Sequence, residues 1–191
     1  MKKDMTARYH GQDEEEAIAK IISYIGDDPY RDGLKDTPAR VRRSWHELFK
    51  GYGVEPQEVM TVFPNEDCTE MIVVRDIEFY STCEHHMIPF YGKAHIGYIP
   101  YKKIIGVSKL PRILEIYSRR LQIQERICTQ VTSALMDHLD PLGCGCIIEA
   151  RHLCMCARGI SKQNSVMVTS SLKGSFKEAP VRSEFLSLIK E

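Results

Sequence analysis

Two short segments concentrate the side chains best suited to hold a metal ion. Cys83-Glu84-His85-His86 is the first, and His152-Leu153-Cys154-Met155-Cys156 is the second. Thiolate and imidazole are the preferred zinc ligands. In a tight turn, residues three apart can point the same way, so Cys83 and His86 can hold one ion. In an extended strand, residues two apart share a face, so His152, Cys154 and Cys156 can converge. Neither segment is half of a paired CxxC ribbon. A structural zinc site closes with four protein ligands, whereas a catalytic one uses three and keeps a place for water. For any one His or Cys, a buried and hydrogen-bonded side chain is the simpler reading. Two dense clusters at the ends of apparent strands favour zinc.

Charge points to a second kind of chemistry. Between Lys102 and Arg126 there are seven Lys or Arg residues and two Glu, in a chain whose net charge is zero. Ser108 is placed to cap a helix, with Lys109 and Arg112 in its first turn. Cations there oppose the helix dipole by roughly 0.3–1 kcal/mol each. A bound anion reverses the sign, because a helix N-terminus with added cations suits phosphate. A solvated basic face is the competing account, and Arg119-Arg120 is assigned to such a face. Gln124-Glu125-Arg126 opens another helix. There Glu125 either compensates the dipole or accepts two N–H bonds from a purine edge.

Periodicity supplies the elements that must carry these groups. Residues 1–11 show none and are expected to fray. Ile18, Ile21, Ile22 and Ile25 recur at helical spacing, with Gly26 as a stop. Asp36-Thr37-Pro38 reads as a cap followed by proline in the first turn of a second helix. Residues 11–36 hold eight acids and three bases. That negative region reads as a helical arm, extending to residue 70. From Met71 to Ser81 the composition turns to β-branched and aromatic residues, which predicts a strand. Lys93–Ile99 predicts a second strand. Leu110–Tyr117 and Ile123–Leu139 then predict two helices, Cys144–His152 and Val166–Leu172 two more strands, and Val181–Ile189 a last helix. The order strand, strand, helix, helix, strand, strand makes residues 71–191 an α+β unit with antiparallel pairs and helices on one face. Its two open sheet edges invite cover or pairing with another chain.

Composition narrows the function classes. Of 191 residues, 43% are apolar and 27% charged, an ordinary globular balance that excludes a disordered or collagen-like chain. Without excess positive charge it is not a general nucleic-acid coat. The apolar runs are too short to cross a bilayer, so no membrane partner is expected. The start lacks the apolar core of a secretory signal, which makes the cytoplasm the expected compartment. Seven cysteines in that setting do not make a disulfide framework. Cys68, Cys128, Cys144 and Cys146 have no histidine nearby and are expected to be structural.

Several motifs together resemble one family. Cys83-Glu84-His85-His86, Ile105-Gly106-Val107-Ser108-Lys109, Gln122-Ile123-Gln124-Glu125-Arg126, His152-Leu153-Cys154 and Ala157-Arg158-Gly159 stand in the order and spacing of GTP cyclohydrolase I. The likeness runs from about Asp28 to Leu186. It implies a tunnelling fold (T-fold, ββααββ) whose sheets join into barrels, and a toroidal homodecamer of two pentamers with active sites between subunits. The implied reaction converts GTP and water to formate and 7,8-dihydroneopterin triphosphate. One Zn2+ per subunit is implied on Cys83, His86 and Cys154, with a water in the fourth place and Cys156 a bystander. His152 is then the acid that protonates guanine N7, and His85 handles ribose or ring-opening protons. Glu125 anchors the guanine edge with Gln124 nearby, and Ser108, Lys109, Arg112 and Arg158 hold the triphosphate. Two rivals are a nitrile reductase of the same fold using a cysteine nucleophile, and a non-catalytic zinc-stabilised interaction module. The first leaves the three-ligand set unexplained, and the second leaves Glu125 and the three cations unexplained.

Overall fold

A computed structural model describes residues 11–190 of the chain. Residues 1–10, most of the segment expected to fray, lie outside the described residues. Helix α1 (Gly11–Ile25) ends at Gly26, whose φ of 101° only glycine adopts without strain. Helix α2 (Thr37–Leu48) lies against α1, and the Arg42 guanidinium donates to the Glu15 carboxylate at 2.8 Å across the pair. Asp36 precedes α2 as expected, but its carboxylate pairs with Arg40 instead of capping the backbone. A short helix α3 (Pro56–Val59) follows, then strand β1 (Val62–Pro64), which pairs with β4 (Lys103–Ile105) in a separate two-stranded ribbon.

The main sheet is built from β2 (Ile72–Cys83), β3 (Pro89–Ile99), β5 (Leu121–Gln122), β6 (Gly143–His152) and β7 (Met167–Gly174). Its order is β5-β2-β3-β6-β7. The four long strands pair antiparallel. A fifth strand, unexpected from periodicity, is the two-residue β5, which lies parallel to the end of β2. Two residues are too few to show any period, so only tertiary context makes them a strand. A bulge between Val74 and Ile77 bends β2.

Helices α4 (Lys109–Ser118) and α5 (Gln124–Leu139) cover one sheet face. Alternation on β3 turns Phe90, Ala94, Ile96 and Tyr98 into that core, where they meet Ile113 and Leu114 of α4 and Ile127, Val131 and Leu135 of α5. Each fully buried Phe, Ile, Leu or Val among them contributes about 1.5–3 kcal/mol. Helix α7 (Ala179–Lys190) packs on the opposite face through Phe185, beside Phe176. The two rings meet edge to face at 5.1 Å. Gly97 and Gly145 face each other across β3 and β6 and leave the room for those rings.

A side chain at either glycine has nowhere to go. A Cβ on Gly145 would stand 2.7 Å from the Phe176 ring, and one on Gly97 would stand 2.9 Å from Phe185. Gly145→Val is expected to push Phe176 off the sheet and cost about 1–3 kcal/mol. A lowered urea midpoint, with unchanged metal content, is the measurement that checks it.

Candidate metal centre and active site

Strand β2 ends at Cys83, and the chain turns at once. The Cys83 carbonyl accepts from the amides of His86 and Met87, at 3.4 and 2.8 Å, while the Cys83 amide donates to Ile88 O at 2.9 Å. Met87 takes a positive φ of 54° to complete the reversal. This turn places His86 Nδ1 3.8 Å from Cys83 Sγ. The parallel pairing of Cys83 with Gln122, and the Glu84 amide donating to Gln122 O at 3.0 Å, tie the turn to the start of α5. Glu84 then makes a two-pronged ion pair with Arg126, one prong at 2.9 Å, which holds its carboxyl below the usual range.

The third donor arrives along β6. Phe90 pairs with His152 across β3 and β6, so the end of β6 comes to the same end of the sheet as Cys83. There the expectation of an extended His152-Cys154-Cys156 face fails. The strand stops at His152, and Leu153–Cys156 forms a helical turn, α6, closed by the Ala157 amide donating to Leu153 O at 2.9 Å. Strand alternation therefore does not relate the three residues. Donor atoms of Cys83, His86 and Cys154 lie within 4.8 Å of one another. The Cys156 thiol is turned away to Lys162 O at 3.5 Å. Tetrahedral zinc with bonds of about 2.0–2.3 Å separates its donors by roughly 3.5–3.8 Å, so two sulfurs and one imidazole nitrogen at this spacing fit the ion. Burial, and then the adjacent Cys83, push the Cys154 thiol up, while Arg158 pulls it down. A cation between the sulfurs would favour both thiolates.

Around the cluster stand other residues that the sequence singled out. His85 is exposed, with its Nδ1 3.9 Å from Cys83 Sγ. His152 stacks flat on Phe90, with centroids 4.5 Å apart and planes 5° apart. Its pKa is lowered by burial, while the Glu125 carboxylate acts to raise it. Glu125 is exposed in the first turn of α5. Gln124 departs from its expected place beside a ligand. It is fully buried, with both amide hydrogens given to Ile148 O and Met167 O, and its oxygen 2.8 Å from His152 Nε2.

The basic set is elsewhere. Ile105 donates its amide to the Tyr98 hydroxyl, and Tyr98 pairs with Ile72, at the far end of β2 from Cys83. Ser108, Lys109 and Arg112 follow directly at the start of α4. That helix runs ten residues, about 15 Å, before β5 returns the chain to Cys83. Ser108 precedes the helix without a side-chain cap bond. Among the described residues Lys109, Arg112 and Arg158 have no carboxylate partner. Arg119 and Arg120, expected on a solvated face, are half-buried structural groups. Arg119 bonds Glu115 at 2.7 Å, and Arg120 donates to Gly51 O and Ile116 O at 3.0 Å. Of the cysteines expected to be structural, Cys128, Cys144 and Cys146 are fully buried, and Cys68 is half-buried. No helix among the described residues is long and apolar enough to cross a membrane.

Comparison with known proteins bears on this arrangement. The family model of GTP cyclohydrolase I matches residues 14–190. A GTP cyclohydrolase 1 of Wolinella succinogenes is 52% identical over 178 residues, 92% of this chain and 95% of the relative. One of Leptospira biflexa is 52% identical over 179 residues, 92% of this chain and 97% of the relative. One of Porphyromonas gingivalis is 48% identical over 172 residues, 90% of this chain and 89% of the relative. A solved archaeosine synthase QueF-Like, in the apo form, matches 58% of this chain and 97% of its own at 11% identity, with a TM-score of 0.44.

The geometry separates the two neighbouring thiols. Cys154→Ser is expected to lose bound metal, because two remaining donors hold the ion poorly. Cys156→Ser is expected to keep it. Metal analysis of both variants, purified without added metal, checks this, and full occupancy in Cys154→Ser would move the ligand role to Cys156.

Proposed function

The chain belongs to the GTP cyclohydrolase I family, and from that premise we propose how its residues turn GTP and water into formate and 7,8-dihydroneopterin triphosphate, the first step of folate and pterin synthesis. The observation that carries the reading is the convergence of the Cys83, His86 and Cys154 donors within 4.8 Å, at the end of the sheet that also holds His152 and Glu125. Zn2+ is the ion that this donor set selects. When bound, it supplies a Lewis acid that makes water nucleophilic near neutral pH.

The remaining work falls to side chains. Glu125 accepts two N–H bonds from the guanine edge, and a carboxylate is favoured in its place in the first turn of α5. That orients the purine with C8 toward the metal and N7 toward His152. His152 gives N7 a proton as C8 is attacked, and histidine suits the step because both of its proton states are accessible near neutral pH. His85, exposed beside the cluster, serves the proton transfers of ring opening and ribose rearrangement. Arg158, next to Cys154, begins the triphosphate site. Ser108, Lys109 and Arg112 complete it with cations free of competing carboxylates.

Those three residues lie at the other end of their own subunit, so they serve the metal end of a neighbouring one. The family implies an oligomer, and we assign it as a homodecamer of two stacked pentamers with active sites between subunits. The exposed edge of β7 and the uncovered part of β2 are the strands available to join the sheets. Residues 1–70 form the arm and residues 71–191 the catalytic unit, acting as one functional whole in the cytoplasm.

Divided sites make a sharp test. His152→Ala is expected to keep its metal and bind GTP, yet lose pterin formation by roughly 10²–10⁴-fold. Lys109→Ala is expected to lose activity through weak GTP binding. Co-assembled in equal amounts, the two inactive chains are expected to recover about one quarter of wild-type activity, because random pairing leaves that share of sites with both residues intact. Pterin fluorescence measures the recovery. Mixed oligomers as inactive as either parent would show that both residues come from the same chain.

A further inference from the structure

Gln124 is the one residue of the substrate-binding set that the fold withholds from the substrate. It opens α5 and is 0% exposed. Its amide nitrogen donates to Ile148 O at 2.9 Å and to Met167 O at 3.0 Å. Those two carbonyls lie on the adjacent strands β6 and β7, and carbonyls can only accept. The amide therefore cannot be turned over, since its oxygen would then face two oxygens in a buried place. Its Oε1 is thus the atom that stands 2.8 Å from His152 Nε2. An amide oxygen also only accepts, so the hydrogen on that contact belongs to the imidazole. Phe90, stacked at 4.5 Å with the ring planes 5° apart, fixes the remaining freedom of the ring. The other nitrogen, Nδ1, has no hydrogen-bond partner among the described residues.

We propose that Gln124 is a positioning residue for His152, holding the imidazole with its proton on Nε2 so that Nδ1 is the nitrogen that gives a proton to the substrate. The inference rests on the assignment of His152 as the proton-transferring group and adds which nitrogen acts and what selects it. The donor is the imidazolium, formed when Nδ1 takes a proton from solvent; in the transfer its Nδ1–H bond breaks, the electron pair stays on Nδ1, and N7 of the purine gains the hydrogen. Nε2–H and its bond to Gln124 are unchanged throughout. The imidazole therefore ends the step neutral and in the one tautomer that Gln124 accepts, with no ring flip between turnovers. Backbone carbonyls of two strands set the amide, and the amide sets the histidine.

The experiment uses the full-length oligomer with its histidine ring nitrogens labelled with 15N and observed by magic-angle-spinning NMR. There are seven histidines, and the His152 signals are those missing from His152→Ala. In the wild type, neutral His152 is expected to carry its proton on Nε2. A proton on Nδ1 would overturn the proposal without any variant of Gln124 having to fold. In Gln124→Leu, of similar size but with no acceptor, His152 is expected to populate both tautomers. There kcat is expected to fall about 10–100-fold, while KM for GTP and metal content stay within about twofold. A raised KM with unchanged kcat would make Gln124 a substrate contact instead. A loss of kcat with the tautomer unchanged would also refute the mechanism. Turnover that survives in His152→Ala would overturn the role of His152 itself, whereas turnover lost there but retained in Gln124→Leu would remove only the part given to Gln124.

Discussion

Three donor atoms from distant stretches of chain meet because the strand registers put them there. Cys83 and His86 flank the turn after β2, and Cys154 lies some seventy residues later, just past the end of β6. Only the pairing of Phe90 with His152 across β3 and β6 brings the second segment to the first. A slip of one residue would turn every side chain of β6 to the other face. It would bury Glu149 and Arg151 among the core residues and take His152 away from Phe90. The hydrophobic alternation that fixes the core thus also fixes the geometry of the three donors. Two residues of β5 extend the same control to α5, because Cys83 and Gln122 are paired directly. The Glu84–Arg126 ion pair reinforces that link from the solvent side.

The chain divides its charges as it divides its chemistry. At the metal end Arg126 is committed to Glu84, while Arg151 and Arg158 have no carboxylate partner among the described residues. At the start of α4, Lys109 and Arg112 stand without carboxylate partners among the described residues. Unpaired cations in the first turn of a helix oppose its dipole, so a fold has no reason of its own to keep them there. In the proposed function, the triphosphate supplies the reason. In that function, the length of α4 between these cations and their own Cys83 is what assigns them to the metal end of a neighbouring subunit.

Much of this was legible in the sequence, and the failures have physical causes. The long strands and α4, α5 and α7 follow from period and β-branched content. The α+β class was therefore readable, as was a Cys/His cluster that could hold a metal ion. The face shared by His152, Cys154 and Cys156 was misread, because alternation assumes that a strand continues. Nothing in Leu153-Cys154-Met155 warns that the chain coils into a helical turn there. Arg119 and Arg120 read as solvated, since one-dimensional charge counting does not show the Gly51 and Ile116 carbonyls that Arg120 satisfies. Gln124 was the hardest case. Beside Glu125 in a polar helix start it resembles a ligand contact, and only the three-dimensional positions of Ile148 O and Met167 O reveal that its amide is spent inside the protein.

The seven cysteines are sorted by the same physics. A nucleophilic thiol must ionise and be reached by its substrate. Cys144 meets neither condition, being fully buried with its thiol pushed up to about 12 by desolvation. Cys146 is also fully buried and raised, with Cys128 as its hydrogen-bonding neighbour, so the two pack as small hydrophobes between α5 and β6. The Cys68 thiol faces Glu70 O at 3.9 Å, in the loop between β1 and β2, and Cys156 bonds to the loop after α6. That leaves Cys83 and Cys154, and these two stand against each other with His86. A lone attacking thiol would need a base beside it and open space ahead. Paired sulfurs with an imidazole make a cation site instead, and a cation there ties up both thiolates. A geometry suited to a metal ion is therefore unsuited to a free cysteine nucleophile, and in the proposed function it leaves proton transfer to the histidines at the rim of the cluster.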